Sequence, residues 1–193
     1  MTGASGFVGS HLKTALEQRG HTVTPLGRQP TLHPEADALV LCGAMVDGCE
    51  EAPSEAMYCN ALNPWRWAKG FRGYVLFIST GSAMEPENVY QLSKRLGEEA
   101  VLLACPDCCI VRLNYSYGEG QAPNRLYPRL IKQIGEGKRV KVSHENKLYP
   151  TPIAYAVTRL IDLIETKTKG MFVVRGKPKT VRQIVGELGG ECE

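Results

Sequence analysis

Short apolar runs recur along this chain, and a stretch with helical periodicity separates each from the next. Residues 38–42, 74–78, 109–113 and 171–174 are nearly continuous apolar segments. The runs at 38–42 and 74–78 suit strands buried on both faces of a parallel sheet, and those at 109–113 and 171–174 read as further strands. Between them, residues 7–19, 54–69, 88–104, 125–134 and 153–165 space their apolar side chains at helical intervals, and a last helix is expected from Val181. Pro64 is expected to interrupt the second of these, because it lacks an N–H and crowds the preceding turn. Weaker strand patterns lie at 21–26 and 139–142. Strands alternating with helices imply right-handed βαβ crossovers and a mostly parallel sheet, an α/β class fold.

Composition narrows the function classes. With 193 residues, the chain suits one domain with a real core. A net charge of +3 without a Lys/Arg stripe gives no footprint for nucleic acid. No apolar stretch approaches the roughly 18 residues of a membrane span, and no secretory leader precedes the fold, so a cytoplasmic protein is expected. Cys105, Cys108 and Cys109 cluster, but Cys42, Cys49, Cys59 and Cys192 supply no second pair at zinc spacing. The four histidines, His11, His21, His33 and His144, are scattered. Reduced thiols and no metal are expected.

The chain opens with Gly3, Gly6 and Gly9 directly before the first helix. The spacing GxxGxxG departs from GxGxxG, but the physical demand is the same. A loop that turns tightly and lets a pyrophosphate approach bare backbone needs residues without Cβ, and the helix that follows presents free N–H groups to the phosphates. This points to a Rossmann-type, doubly wound dinucleotide site. At the end of the second strand stands Leu26-Gly27-Arg28, with a guanidinium where a NAD-selective fold carries an acid. Arg suits the 2′-phosphate of NADP, so NADP(H) is preferred and NAD(H) remains possible.

Tyr90 and Lys94 stand four residues apart at the start of the helix after the 74–78 strand, hence on one helical face. A free phenol titrates near about 10. A neighbouring ammonium favours the phenolate and would bring Tyr90 towards a useful range for proton transfer. Ser79-Thr80, at the end of the preceding strand, supplies a hydroxyl to polarise a carbonyl.

In this order the motifs resemble the extended short-chain dehydrogenases/reductases of the NAD-dependent epimerase/dehydratase group, and within it the dTDP-4-dehydrorhamnose reductases. The likeness rests on residues 2–12, on 44–50 (AMVDGCE), on Ser79-Thr80, on Tyr90 to Glu98 as YxxxKxxxE, on 112–118 (RLNYSYG) and on Tyr149-Pro150-Thr151-Pro152. It implies catalysis by Thr80, Tyr90 and Lys94, with Lys94 also binding ribose. It implies a cofactor site of Gly3, Ser5, Gly6, Phe7, Val8, Gly9, Arg28, Cys42, Gly43, Ala44, Asn60, Tyr90, Lys94 and Asn114. The expected reaction is reduction of a keto group on a small, nucleotide-linked sugar. Two alternatives stay open: an epimerase or dehydratase using the same triad, and a regulatory subunit that binds NADP without turnover. A homodimer is possible.

The departures from the family pattern carry expectations of their own. The chain is short for an extended member, so residues from about 114 to 193 should form only a reduced substrate-binding part of a single domain. The connector over 27–37 is too short and Pro-rich for the usual second helix. Thr2-Gly3 follows Met1 directly, where the family has a whole first strand at the sheet centre. Either apolar residues of that strand belong upstream, or the sheet tolerates a gap. Trp65 and Trp67 read as core rather than as a stacking platform, and the basic group around Lys138, Arg139 and Lys141 as a solvated edge.

Overall fold

A computed structural model describes residues 1–28, 35–142 and 147–192. His33, His144 and most of the Pro-rich connector lie outside the described residues.

Four strands form a parallel sheet: β1 (Ala38–Leu41), β2 (Tyr74–Thr80), β3 (Cys109–Leu113) and β6 (Gly170–Val174), in the order β1-β2-β3-β6. The registers align Thr80 with Leu113 and Leu113 with Val174, so the strands end together and make one rim. Beyond β1 the sheet continues through single bridges. Thr2 pairs in parallel with Leu41 on one side and Leu26 on the other. Thr2 N–H donates to the Val40 carbonyl and Leu26 N–H to the Met1 carbonyl. Met1-Thr2 thus lies between the second and third extended segments, where the sequence left a gap open. The strand expected over 21–26 is reduced to the Leu26 bridge, with Met1 and Thr2 beside it. The strand expected over 139–142 is likewise one bridge, Val140 to Cys192.

The two-residue period of the strands divides the core. Val40, Leu76, Ile78, Cys109, Val111 and Leu113 face α1 (Phe7–Gln18) and α6 (Ile153–Glu165). Leu39, Leu41, Val75, Phe77 and Ile110 face the opposite layer. That layer holds α4 (Val89–Ala104) and a helical rod of α2 (Pro53–Met57), a π-turn (Tyr58–Leu62) and α3 (Asn63–Ala68). Helices on both faces of a parallel sheet give the doubly wound architecture that the alternation predicts. A third, smaller cluster joins α5 (Leu126–Gly135) and α7 (Val181–Glu187) through Tyr127, Leu130, Ile184 and Val185. A two-residue parallel pair, β4 (Ser116–Tyr117) with β5 (Thr151–Pro152), borders it.

Pro64 does not interrupt the rod. A proline there cannot donate to the carbonyl four residues back, that of Asn60, and the wide π-turn just before it absorbs the misfit. Gly97 of α4 packs so closely on the Asn60 carbonyl that any Cβ would overlap the oxygen. Trp67 is buried in the second layer, and Trp65 lies under the Lys69 ammonium, 4.9 Å from its ring centroid. Both tryptophans therefore belong to packing. All seven cysteines are free thiols.

Candidate active site

In open α/β sheets a ligand lies at the carboxyl ends of the strands where the strand order reverses. Here that point is the Thr2 position, with Leu26 on one side and β1 on the other. The glycine loop occupies it. Gly3 has φ +63, and a Cβ on it would stand 2.6 Å from the Gly43 Cα. A Cβ on Gly9 would overlap the Gly3 carbonyl oxygen. The loop therefore closes on bare backbone, with Gly43 N–H donating to Thr2 Oγ1 at 3.1 Å. The α1 N-cap, Gly6, offers no side-chain acceptor, and Ser5 and Gly6 are exposed. The positive end of this 12-residue helix thus carries no side-chain cap, an arrangement that fits a phosphate.

Phe7 and Val8 are half-buried on α1, as are Cys42 and Gly43 at the end of β1, while Ala44 is exposed. Burial pushes the Cys42 thiol up to about 11 against the opposing pull of the Lys94 charge, which places Cys42 beside Lys94. Arg28 is exposed, and Glu55 of α2 approaches it at 3.8 Å. Sequence spacing did not foresee that carboxylate. The contact is long and solvated, so Arg28 keeps its donors accessible.

Asn60 also has a structural task. It is fully buried, and its amide is committed to protein: Oδ1 accepts from Met45 N–H, and Nδ2 donates to the Met45 carbonyl and to Ser93 Oγ, each at 2.8 Å. Ser93 in turn donates to the Tyr90 carbonyl at 2.8 Å. Asn60 therefore braces the loop after β1 against α4. Glu50 adds a second brace, accepting from Val89 N–H at 2.7 Å, one residue before Tyr90.

Lys94 is almost wholly buried. Its Nζ donates to the Ile78 carbonyl at 2.8 Å and sits 4.1 Å above the Phe77 ring. Burial lowers it to about 8, opposed by Cys42 and Glu98. The expected depression of Tyr90 does not appear. Desolvation pushes its phenol up to about 12, with Cys49 and Cys42 acting the same way, and the cation pulling it down is Arg125. The physical reason is that Lys94 turns towards the sheet end rather than the phenol.

One turn further along α4, Glu98 meets Arg112 in a buried two-pronged pair, Nε to Oε1 at 2.9 Å and Nη2 to Oε2 at 2.6 Å. This explains the last position of YxxxKxxxE: it ties α4 to β3. At the rim, Ser79 is buried and its hydroxyl has no partner. Thr80 is half-buried and its Oγ1 accepts only a long 3.4 Å contact from Ser82 N–H. Of the two hydroxyls, that of Thr80 is the accessible one. Asn114, just past β3, packs its side chain on Gly81 and leaves a buried Oδ1 unpaired.

These elements define a Rossmann-type fold in which Thr80 ends β2, the Lys94 ammonium reaches the Ile78 carbonyl near that end, and Tyr90 lies one turn before Lys94 on α4. The chain belongs to the RmlD substrate binding domain family, whose pattern matches residues 1–182. It is 32% identical to a dTDP-4-dehydrorhamnose reductase of Streptomyces griseus over 195 residues, covering 84% of this chain and 64% of that protein. It is 25% identical to a probable low-salt glycan biosynthesis reductase of Haloferax volcanii, covering 100% of this chain and 80% of that one. The fold is shared with the dTDP-4-dehydrorhamnose reductase of Bacillus anthracis solved with NADP, at a TM-score of 0.85 and 20% identity, over 100% of this chain and 80% of that one. The chain therefore spans less than two thirds of the Streptomyces protein. Among the described residues, no group of three His, Cys, Asp or Glu could hold a metal ion, and no helix is long and apolar enough to cross a membrane.

Proposed function

We propose that this chain binds NADP(H), with NAD(H) as a weaker alternative, and reduces a keto group on a small nucleotide-linked sugar. The observation that carries the reading is the meeting of two features at the switch point. A groove closed by Gly3, Gly9 and Gly43 lies beside α4, whose Tyr90 and Lys94 are fixed through Asn60, Ser93 and Glu98. The residues present fit the cofactor: bare backbone and an uncapped α1 N-terminus for its phosphates, and an accessible Arg28 for a 2′-phosphate. Cys42 and Asn114 line the inner end, and Lys94 is the group for the ribose hydroxyls.

When bound, the nicotinamide would supply the hydride. The chain's own task is to orient the carbonyl and deliver a proton. Thr80 Oγ1 donates to the substrate carbonyl oxygen. Tyr90 Oη gives its proton to the alkoxide as it forms, and a phenol pushed up to about 12 is held protonated for that step at neutral pH. Lys94, lowered to about 8, stays mostly charged at pH 7 at the end of β2, while Arg125 is the cation whose charge favours the tyrosinate left behind. The single domain carries its substrate-binding part in residues from about 114 onward, around α5 and α7. A homodimer would use the face of α4 that exposes Leu92, Leu96 and Leu103. The seven free thiols suit the reducing cytoplasm this chemistry calls for.

The test follows NADPH oxidation with a panel of dTDP- and UDP-linked 4-keto sugars. Tyr90→Phe should keep NADPH affinity and lower kcat by about 10²–10⁴. Thr80→Val should lower kcat with little change in NADPH affinity, and Lys94→Met should lose both. A Tyr90→Phe protein that turns over at the original rate removes the mechanism. Tight NADPH binding without turnover of any keto sugar favours the regulatory-subunit reading instead.

A further inference from the structure

One ion pair spans the site from wall to wall. Arg125, which precedes α5, donates from Nη2 to Asp47 Oδ2 at 2.6 Å, and Asp47 lies in the loop that follows β1. The two partners are unequal. The Arg125 side chain is 32% exposed and that of Asp47 66%. The cation is therefore seated, while its carboxylate stands largely in water.

The surroundings of Arg125 favour an anion. The first turn of α5 contains no acid, and Leu126 N–H beside it donates to Tyr115 Oη at 2.7 Å, which anchors the helix start. Asp47 shares its loop with Glu50, which accepts from Val89 N–H beside Tyr90, so the pair ties Arg125 to the loop that braces the start of α4, and the Arg125 charge is felt at the Tyr90 phenol. A partly solvated pair of this kind contributes little, since water competes for both ions. A diphosphate offers the same fork two oxygens and a larger charge, and it would displace a solvated carboxylate readily.

Resting on the sugar-nucleotide reading above, we propose that Arg125 is the diphosphate-binding residue of the substrate site and that Asp47 is the internal carboxylate the diphosphate displaces. The distance between sugar and diphosphate in such a substrate then sets which carbon reaches Thr80 and Tyr90, so Arg125 also acts as a ruler for the reacting position.

The two partners must shift affinity in opposite directions, and this separates the proposal from a structural role for the pair. The experiment titrates dTDP by calorimetry into the protein saturated with NADP⁺, so that the dinucleotide groove is filled. Arg125→Gln should weaken dTDP by roughly 10- to 100-fold, the loss of a charge-assisted two-pronged contact. Asp47→Asn should tighten it by roughly two- to fivefold, because a competitor is gone. Both should bind NADPH as the unaltered protein does, which also verifies that they fold. An Arg125→Gln protein that takes dTDP at unchanged affinity overturns the proposal, and so does an Asp47→Asn protein that binds it more weakly. If the unaltered, NADP⁺-saturated chain takes up no dTDP, the sugar-nucleotide reading falls and the proposal falls with it. If dTDP binds and only the Arg125 effect is missing, that reading stands and Arg125 alone is removed from the site.

Discussion

The half of the molecule that faces the cofactor groove and the part that carries α5 and α7 are built by different means. In the first, backbone packs on backbone at Gly3, Gly9 and Gly97, and buried polar groups answer one another, as Asn60 does with Met45 and Ser93. In the second, a small cluster is held by stacked tyrosines and surface ion pairs. Tyr117 and Tyr127 stack at 3.9 Å between centroids, Arg139–Glu191 lies in solvent, and Lys179–Glu187 is partly exposed. The contrast fits the function proposed above. Positions of reacting atoms tolerate little error, which suits contacts without slack on the side proposed for the cofactor. The part proposed to recognise substrate would be adjusted by changing surface residues that cost little stability. Two arginine–glutamate pairs, one on each side, put this to measurement.

The largest effect is expected at Glu98. Its pair with Arg112 is buried, with side-chain exposures of 9% for Arg112 and 2% for Glu98. Glu98→Ala leaves a guanidinium without its counter-ion inside the protein and should cost about 3–5 kcal/mol in urea unfolding. It should also lower kcat, since α4 loses its tie to β3. Replacing both partners by apolar residues of like volume should restore much of the stability and not the activity.

Lys94 sharpens the comparison from the opposite side, as a residue kept against stability. Burial holds it near 8, below its ordinary value of 10.5. Between these two values the unfolded chain binds the proton that the folded one has lost, so stability rises with pH across that window and is lowered below it. Lys94→Met should therefore raise the unfolding free energy at pH 7 by about 2 kcal/mol, after allowing for the lost bond to the Ile78 carbonyl. It should flatten the rise in stability between pH 8 and 10.5 and abolish turnover. Thermal unfolding across that pH range reads all three. A destabilised Lys94→Met protein would show that the Ile78 and Phe77 contacts outweigh desolvation.

Much of this was legible in the chain itself, for definite physical reasons. The strands at 38–41, 74–80 and 109–113 are buried on both faces, so their composition alone declares them, and the glycine loop shows where a Cβ cannot fit. Tyr90, Lys94 and Thr80 follow from order and spacing. What spacing does not carry is direction and partner. Helical periodicity puts Tyr90 and Lys94 on one face, but it does not reveal that Lys94 reaches the Ile78 carbonyl while Arg125, 35 positions further along, is the cation acting on the phenol. Asn60 reads as a contact residue by its place, and only the fold shows its amide spent on Met45 and Ser93. The segments at 21–26 and 139–142 alternate like strands, yet a strand needs a neighbour, and no local pattern says whether one is present.

Arg28 offers a smaller effect. Its guanidinium is free enough to take a 2′-phosphate, but it is solvated and shared with Glu55. Arg28→Ala should narrow the preference for NADPH over NADH by about 1–1.5 kcal/mol, read from fluorescence titrations of both cofactors. Glu55→Gln should widen it slightly. Equal affinities for the two cofactors in the unaltered protein would remove the assignment.

The smallest effect belongs to the other arginine–glutamate pair. Arg139 grips Glu191 with Nε at 3.1 Å and Nη2 at 2.8 Å, and both prongs end on the single oxygen Oε2. The ions are still close, but their side chains are 65% and 73% exposed. Water solvates each ion almost as well alone as paired, and ordering two long side chains offsets part of what the Coulomb attraction gains. The coupling energy from a double-mutant cycle with Arg139→Ala and Glu191→Ala should therefore lie below about 1 kcal/mol and shrink in 0.5 M salt. The corresponding cycle on Arg112 and Glu98 should give several times more and barely respond to salt, since no ions reach a buried pair. If the two cycles agree, burial is not what separates the halves, and the backbone contacts of the glycines must carry the difference. The neighbouring bridge, where Val140 N–H donates to the Glu191 carbonyl at 2.9 Å, survives both Ala variants. The C-terminal part should accordingly keep its fold when the pair is removed.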